Sequence, residues 1–376
     1  MTDALSPLWI DNPGAIGDLA DRCRNAGVFA MDTEADSLHS YFHKVCLVQI
    51  SVAGEHAVID PLAIEAEALS PLWEVCGDSE IAVLMHGADY DIRVLDRDYE
   101  AEIHGLQDTQ IMAMLLGEKK TGLASLLESN FDIALDKRHQ RADWGRRPLT
   151  ESMVTYAAAD TAHLAALVGL LRDRLEALGR WQWAREDFMR LEGVRHKSVE
   201  REPRAFERIK GVNALRGSAR DRAFTLVEWR EARAQARDLP PFKILGNQPL
   251  LQMAQIIPEG PKAMGKVPGI GPRFVGRYGK AVAELLSEPQ EAPEWQRPPR
   301  RPPGDPATKK RMAKLVKARD AIAEGLEIDG AVLCPRATME AVAELGERAD
   351  VRALEGAGLT GWRLGVVGEA FVKALK

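Results

Sequence analysis

Short apolar runs separated by turn residues divide the N-terminal half of the chain into alternating strands and helices. Three runs rich in β-branched or aromatic residues come in quick succession, and helical and extended patterns alternate after them. A three-strand meander followed by such alternation is typical of a mixed sheet with helices on its faces, so we expect an α/β fold. The predicted strands span residues 27–33, 44–52, 55–60, 81–86 and 101–104, and the predicted helices span residues 64–76, 90–99 and 108–116.

The periodicity becomes helical from Leu123 onward, and its longest stretch covers residues 152–178. Beyond about residue 195 short helical patterns continue without a convincing strand pattern. Seven prolines between residues 289 and 306 predict a stiff linker. We therefore expect an N-terminal α/β domain and two small all-α domains, which could be distant repeats of one fold. The predicted boundaries are 1–195, 205–290, 291–306 for the linker, and 307–376.

Two acidic residues, Asp32 and Glu34, lie at the end of the apolar run that forms the first predicted strand. Residues two apart in a strand project from the same face, so the two carboxylates would repel each other. Such a pair is costly without a cation, and hard oxygen ligands suit Mg²⁺ or Mn²⁺ rather than zinc. A strand that ends in solvent also tolerates two acids, so the pair gains weight only from matching carboxylates elsewhere.

A second acidic site follows the predicted strand at 81–86, where Asp89 and Asp91 stand at the start of a helix. Asp89 could simply cap this helix, and Asp91 in its first turn would interact favourably with the helix dipole.

A third site contains Tyr156 and Asp160, which are four residues apart and therefore share one face of the longest predicted helix. The three alanines between them leave that face open. A core tyrosine next to a surface aspartate is an equally common explanation of this pair.

Charge is unevenly distributed along the chain, although the net charge is −6. Residues 195–237 carry twelve Lys or Arg against six Asp or Glu, and residues 297–319 carry nine against one. The acidity is therefore concentrated in the remainder of the chain. This division suits an acidic, metal-binding module joined to modules that bind a polyanion, although solvated helix faces explain either basic stretch alone.

The sequence also indicates a cellular compartment. It lacks an apolar run near the ~20 residues that cross a bilayer, and its start lacks the pattern of a secretory signal. Its four cysteines are scattered and mostly stand among apolar residues, which predicts buried thiols rather than a disulfide or zinc framework. We expect a cytoplasmic protein.

Taken together, the order of the three acidic motifs resembles the four-carboxylate 3′→5′ exonucleases of the ribonuclease H-like fold. More closely, essentially the whole chain resembles the ribonuclease D family, in its tyrosine subclass. This resemblance implies that the two C-terminal helical domains are of the helicase-and-RNase-D C-terminal (HRDC) type. It rests on the segments MDTEADS, LVQIS, HGADYDIRVL, LQDTQIMAMLLG and ADWGRRPLTESMVTYAAADTAHL.

The resemblance also implies roles for individual residues. Asp91 is preferred to Asp89 as the second-motif ligand, because residues 92–95 then fit the helix register of the family. Two divalent ions, Mg²⁺ or Mn²⁺, about 3.5–4 Å apart would activate water and stabilise the phosphate and the leaving oxygen. The implied metal ligands are Asp32, Glu34, Asp91 and Asp160, and the residue that positions the attacking water is Tyr156.

Two further segments carry candidate substrate contacts. Trp144 could stack on a base and Arg146 or Arg147 could contact phosphates, although a buried tryptophan with solvated arginines is at least as common. Gly269 and Gly271 could present backbone N–H groups to a phosphate, or could form a plain turn between helices.

The resemblance implies an exoribonuclease that trims structured RNA 3′ ends, tRNA precursors above all, and releases 5′-mononucleotides. A DNA exonuclease with the same site remains an alternative, because metal-held phosphates do not distinguish the two sugars. A non-catalytic RNA-binding adaptor is a further alternative, and such a protein would be expected to have lost ligands. We expect neither a membrane nor an obligate protein partner.

Overall fold

The computed structural model describes residues 5–197, 205–293 and 305–376. Its described residues form two compact units, and the first contains residues 5–34, 45–196 and the helices that follow residue 305. The second unit contains residues 35–44 and the helices between residues 205 and 293. Most of the predicted proline-rich linker, and parts of both basic stretches, lie outside the described residues.

A six-stranded mixed sheet forms the centre of the first unit. Its strands are β1 (Leu8–Ile10), β2 (Val28–Ala35), β3 (Val45–Val52), β4 (Glu55–Ile59), β5 (Ala82–Met85) and β6 (Leu106–Asp108). They lie in the order β1-β4-β3-β2-β5-β6. β1 pairs in parallel with β4, β2 with β5, and β5 with β6, whereas β3 and β4 are antiparallel. The predicted α/β fold with a mixed sheet is confirmed.

The strand predicted over residues 101–104 is wrong. Ala101 and Ile103 are buried, but the chain pairs with β5 only after Gly105, whose φ is +63°. A Cβ at Gly105 would lie 2.2 Å from the carbonyl oxygen of Ile81, so this close approach needs glycine. The buried apolar residues therefore precede the strand.

Between residues 5 and 197, which the structure describes without a gap, eight α-helices accompany this sheet. The helix predicted over residues 64–76 begins as a short 3₁₀ helix, Ala66–Leu69, and continues as an α-helix from Ser70. The helices are α1 (Gly14–Ala26), α2 (Ser70–Cys76), α3 (Asp89–Tyr99), α4 (Thr109–Leu115), α5 (Leu123–Phe131), α6 (Glu151–Ala162), α7 (Leu164–Ala177) and α8 (Trp181–Glu192).

The long helix predicted over residues 152–178 is interrupted at His163, whose φ of −110° separates α6 from α7. In the described part of the chain, Glu151–Ala177 is the one stretch that is long and apolar enough to span a membrane. Here α6 contacts β3 and β4, and α7 contacts β5. Packing within the first unit therefore accounts for the buried apolar residues of both helices.

The C-terminal helices pack on α8 within the first unit. The indole rings of Trp183 and Trp362 stack with centroids 4.5 Å apart, and Arg363 makes two hydrogen bonds to Asp187, at 2.6 and 2.9 Å. These helices are α14 (Pro306–Leu326), α15 (Gly330–Leu333), α16 (Arg336–Leu345), α17 (Val351–Gly356) and α18 (Gly361–Leu375), with a 3₁₀ helix at Gly346–Arg348.

The second unit is helical and has its own apolar core, centred on Leu226, Leu250 and Val282. Its described residues contain no strand between 205 and 293, as the periodicity predicts. Two 3₁₀ helices, Ala205–Arg208 and Val212–Ala214, precede α9 (Gly217–Ala236), α10 (Pro241–Ile244), α11 (Asn247–Ile256), α12 (Gly260–Met264) and α13 (Pro272–Ser287).

Candidate active site

Three carboxylates from two distant parts of the sequence meet beside the sheet. Asp32 and Glu34 project from β2, and Asp160 projects from α6. One carboxylate oxygen of each lies within 4.8 Å of those of the other two. α6 is held on the sheet by buried alanines and by a 2.6 Å hydrogen bond between the hydroxyls of Ser51 and Thr161. The packing of α6 therefore places Asp160 next to the β2 pair.

Asp91 lies beside this cluster, whereas Asp89 does not. Asp91 is buried in the first turn of α3, and its Oδ1 accepts a hydrogen bond from the hydroxyl of Thr33, which stands between the two β2 acids. The side chain of Asp89 is 59% exposed and pairs with Arg93, one turn further along α3, at 2.9 Å. Asp89 does not cap α3 either, because Ala88 occupies that position.

The start of α3 is fixed by a buried carboxylate from another element. Asp108 caps α4 by accepting hydrogen bonds from the N–H groups of Gln110 and Ile111. The same carboxylate also accepts hydrogen bonds from the N–H groups of Gly87 and Ala88, at 3.1 and 2.8 Å. Asp108 thereby joins the turn that precedes α3 to the start of α4. This second role could not be foreseen from the capping pattern.

Burial raises the pKa values of all four carboxyl groups, and repulsion within the cluster adds to the shifts of Asp32 and Glu34. Burial raises the pKa of Asp32 well above its usual range, and the neighbouring charges of Asp91, Asp160 and Glu34 add to this. Burial, with repulsion from Asp160 and Asp91, raises the pKa of Glu34 to about 9. Burial raises the pKa of Asp160 to about 7 and that of Asp91 to about 6, and the Thr33 hydrogen bond opposes the shift of Asp91. Without a cation the cluster retains protons at neutral pH.

Tyr156 borders this cluster and lines a cavity of about 390 Å³. Its ring packs between those of Trp144 and His139, with centroids 5.9 and 5.8 Å away. Burial, reinforced by the charges of Asp160 and the β2 acids, raises the pKa of the Tyr156 phenol far above its usual range. The cavity is lined by Leu135, Asp136, Arg138, Glu151, Ser152, Thr155, Tyr156, Ala159 and Asp160.

The residues predicted to contact substrate before α6 have different environments. Trp144 is 1% exposed, so the predicted stacking on a base does not fit; the indole packs beneath Tyr156 instead. Arg147 is engaged by Asp60, at 2.5 and 2.6 Å, so its charge is neutralised within the protein. Arg146 is exposed. Arg138, which was not predicted from the sequence, lines the cavity from the loop between α5 and α6.

Gly269 and Gly271 line a second cavity of about 740 Å³, which lies within the helical unit. Gly271 precedes α13, and Gly269 has a φ of +86°. The two glycines alone did not indicate the chemical character of this cavity, because four basic and three aromatic side chains also line it. They are Arg237, Lys243, Arg273, Arg277, Phe242, Phe274 and Tyr278.

Comparison with known proteins places this site in a family. The profile of a 3′-5′ exonuclease family matches residues 7–176, and that of the HRDC domain matches residues 220–286. Ribonuclease D of Acidiphilium cryptum is 31% identical over 304 residues, which cover 79% of this chain and 76% of that protein. Ribonuclease D of Escherichia coli K12 is 31% identical over 287 residues, which cover 76% and 75% respectively. This chain belongs to the ribonuclease D family.

The structural comparison extends the similarity to almost the full length. The crystal structure of Escherichia coli RNase D, described as an exoribonuclease involved in structured RNA processing, matches with a TM-score of 0.68 and 25% identity. The match covers 99% of both chains. The chain is therefore a 3′→5′ exoribonuclease with an RNA substrate and a ribonuclease H-like N-terminal fold. The exonuclease family depends on divalent metal ions, and the acidic cluster offers suitable ligands.

Proposed function

We propose that Asp32, Glu34, Asp91 and Asp160 hold two divalent ions, Mg²⁺ or Mn²⁺, at which RNA is hydrolysed from its 3′ end to 5′-mononucleotides. The observation that carries this proposal is the convergence of three partly buried carboxylates within 4.8 Å. Burying like charges together is unfavourable unless a cation compensates them. Oxygen-only donor sets are those that Mg²⁺ and Mn²⁺ prefer.

The protein side chains have distinct roles in this proposal. When bound, the ions would lower the pKa of the attacking water and neutralise charge on the phosphate and the leaving oxygen. Tyr156 and Asp160 lie one turn apart on α6, so the phenol stands beside the carboxylate cluster. Because its pKa is raised, the phenol remains protonated and donates a hydrogen bond that orients the attacking water.

The raised pKa values make metal binding a proton-releasing reaction. Glu34, whose pKa is about 9, is protonated at neutral pH in the metal-free protein, and Asp160, whose pKa is about 7, is partly protonated. A carboxyl group must lose its proton to serve as an oxygen ligand. Metal binding is therefore expected to strengthen as the pH rises.

We propose the cavity of the helical unit as an RNA-binding surface. Its arginines and Lys243 suit phosphates, and Phe242, which is 56% exposed, suits base stacking. Gly269 and Gly271 remain proposed backbone contacts at the start of α13, and Arg146 a proposed phosphate contact. As domain boundaries we propose 1–195 for the exonuclease, 205–290 for the first HRDC-type domain, 291–306 for the linker and 307–376 for the second HRDC-type domain.

Structured RNA 3′ ends, and tRNA precursors among them, are the substrates we propose. The description of the Escherichia coli relative as an exoribonuclease involved in structured RNA processing supports the first part, and the tRNA assignment is an extension of it. We place the protein in the cytoplasm, because its four cysteines are buried free thiols, which suits a reducing compartment.

The test uses a precursor tRNA with a 3′ extension and a DNA strand of the same sequence as that extension. With Mg²⁺ or Mn²⁺ the RNA extension should shorten stepwise and release 5′-mononucleotides, whereas chelator-treated protein should release none. Equal or faster degradation of the DNA would favour the alternative of a DNA exonuclease. Binding of the RNA without any release would favour a non-catalytic adaptor.

A further inference from the structure

The cavity beside Tyr156 has a strongly acidic lining. Asp136, Glu151 and Asp160 contribute carboxyl groups to it. Among the described residues that line this cavity, Arg138 carries the only formal positive charge. An RNA strand whose 3′ end reaches the carboxylate cluster brings backbone phosphates into this acidic surrounding. Those phosphates need a cationic partner in addition to any ions held by the cluster.

Arg138 is available for such a role because its present partner binds it weakly. The guanidinium pairs with Asp136 at 2.6 Å, but the two side chains are 79% and 39% exposed. The hydrogen bonds from Arg138 lower the pKa of Asp136 to about 2. The ion pair is nevertheless exposed to solvent. Exposed ion pairs contribute little to stability, whereas an arginine can bind a phosphate through two parallel hydrogen bonds. A phosphate can therefore displace Asp136 from Arg138.

Asp136 has a second function that keeps the loop in place. Its Oδ1 accepts a hydrogen bond from the backbone N–H of Arg138 at 2.9 Å, independently of the guanidinium. This bond closes a local turn and presents the Arg138 side chain at the cavity. Asparagine can accept the same backbone hydrogen bond, so Asp136→Asn removes the negative charge and preserves the turn.

We propose that Arg138 is a substrate-binding residue that exchanges Asp136 for a backbone phosphate when RNA enters the cavity beside Tyr156. The inference rests on the proposed function, and it assigns the cation that the acidic cavity needs for its substrate. Asp136 is then a competitor of the RNA for the guanidinium, so the two residues have opposite effects on RNA binding.

The test measures kcat and KM for a single-stranded oligoribonucleotide at several salt concentrations. Arg138→Ala should raise KM about tenfold with kcat nearly unchanged, and the salt dependence of binding should fall by about 0.7 in logarithmic slope. Asp136→Asn should lower KM about threefold, because the competing charge is gone. Arg336→Ala is the matched control: Arg336 forms a similarly exposed pair with Glu340, 84% and 36% exposed, and KM should not change.

The double variant separates this proposal from simple charge neutralisation. If Arg138 binds phosphate, Arg138→Ala combined with Asp136→Asn should remain as weak as Arg138→Ala alone. If Arg138 only screens Asp136, the added Asp136→Asn change should restore the wild-type KM, and the proposal is overturned. An unchanged KM in Arg138→Ala would also overturn it, while wild-type release of mononucleotides would leave the proposed function intact. Absence of release by the wild-type protein would instead contradict the proposed function.

Discussion

At the scale of single residues, two aspartates with the same chemistry differ in role because their surroundings differ. Asp89 and Asp91 are two positions apart in the same helical turn, yet Asp89 is exposed and paired with Arg93. Asp91 is buried, accepts a hydrogen bond from Thr33, and raises the pKa values of Asp32 and Glu34 through its charge. Its electrostatic interaction with Asp32 and Glu34 marks Asp91 as part of the cluster.

Replacing each aspartate of α3 in turn tests this distinction. Asp91→Asn should lower mononucleotide release more than about 100-fold, because even partners outside the direct ligand sphere typically contribute 10–100-fold. Asp89→Asn should change the rate less than about twofold, since it removes only an exposed ion pair. The rates are measured on single-stranded RNA with saturating Mg²⁺. Equal losses in both variants would show that the two acids are not separated as we describe.

The protonation of Glu34 links metal-free stability to pH. Its pKa in the folded protein, about 9, lies above its unfolded value, so the folded state binds more protons. The free energy of unfolding therefore falls as the pH rises from about 5 to about 9, and this contribution is fully present only below the unfolded pKa. In chelator, Glu34→Gln should flatten the decline of Tm between about pH 6 and pH 9. A decline as steep as that of the wild-type protein would contradict the assigned shift.

At the scale of elements, the carboxylate of Asp108 fixes the start of α3 relative to the start of α4. Four backbone N–H groups, two at the start of each helix, point to its carboxylate. Because Asp108 is 1% exposed, water cannot replace these hydrogen bonds. The turn before α3, and with it the carboxylate of Asp91, is therefore held from outside its own segment.

Asp108→Asn should weaken metal binding, because an amide group is uncharged and directs two N–H donors toward the backbone donors. We expect a 10–100-fold rise in the apparent Kd for Mn²⁺, measured by titration with magnetic-resonance detection of the free ion. Asp350→Asn is the control, since Asp350 caps α17 through a 2.7 Å hydrogen bond from Ala353 N–H in the C-terminal helices. If both variants bind Mn²⁺ with the wild-type Kd, Asp108 does not position the site.

The elements and the motifs were predictable from the sequence to different extents. Hydrophobic periodicity located β2, β3, β4 and β5 because these strands are buried runs of apolar residues. It failed at residues 101–104, where a left-handed turn at Gly105 delays the pairing, since such a turn leaves no periodic signal. The resemblance implied the four carboxylates and Tyr156, and three of those carboxylates converge within 4.8 Å.

The environment of the site depended on contacts distant in sequence. From the sequence, Trp144 is a candidate for stacking on a base. In the structure it is buried in a cluster with residues of α6. From the sequence, Arg147 is a candidate phosphate contact. In the structure its guanidinium donates a hydrogen bond to Asp60, 87 residues away. Residue type and spacing identified the chemistry, whereas burial and partners decide which side chains reach the substrate.

At the scale of the whole molecule, the C-terminal helices are part of the same compact unit as the exonuclease sheet. A Cβ at Gly117, after α4, would lie 1.9 Å from the carbonyl oxygen of Glu327, after α14, so the two backbones are in direct contact. Arg180 donates hydrogen bonds to the carbonyl oxygens of Leu115 and Leu326 and so joins the same two regions. These helices therefore contribute to the stability of the exonuclease fold.

The pair formed by Asp187 and Arg363 tests this contribution. Asp187 is buried and Arg363 is largely shielded from solvent, with side chains 8% and 14% exposed, so Asp187→Ala leaves the Arg363 charge uncompensated. The free energy of unfolding should fall by about 3 kcal/mol, as measured by urea denaturation. Glu176→Ala, which removes the exposed partner of Arg172, should cost less than about 1 kcal/mol. Similar values for the two variants would mean that the docking of the C-terminal helices adds nothing measurable.

The most direct test of the central claim is the release of mononucleotides from a 3′-labelled single-stranded RNA by wild-type protein and by Asp32→Asn, with Mg²⁺ and with chelator. We expect release by the wild-type protein only when Mg²⁺ is present. In Asp32→Asn we expect the rate of release to fall more than about 100-fold while the circular dichroism spectrum stays unchanged. Release by Asp32→Asn at the wild-type rate, or release that persists in chelator, would contradict a metal-dependent site built on these carboxylates.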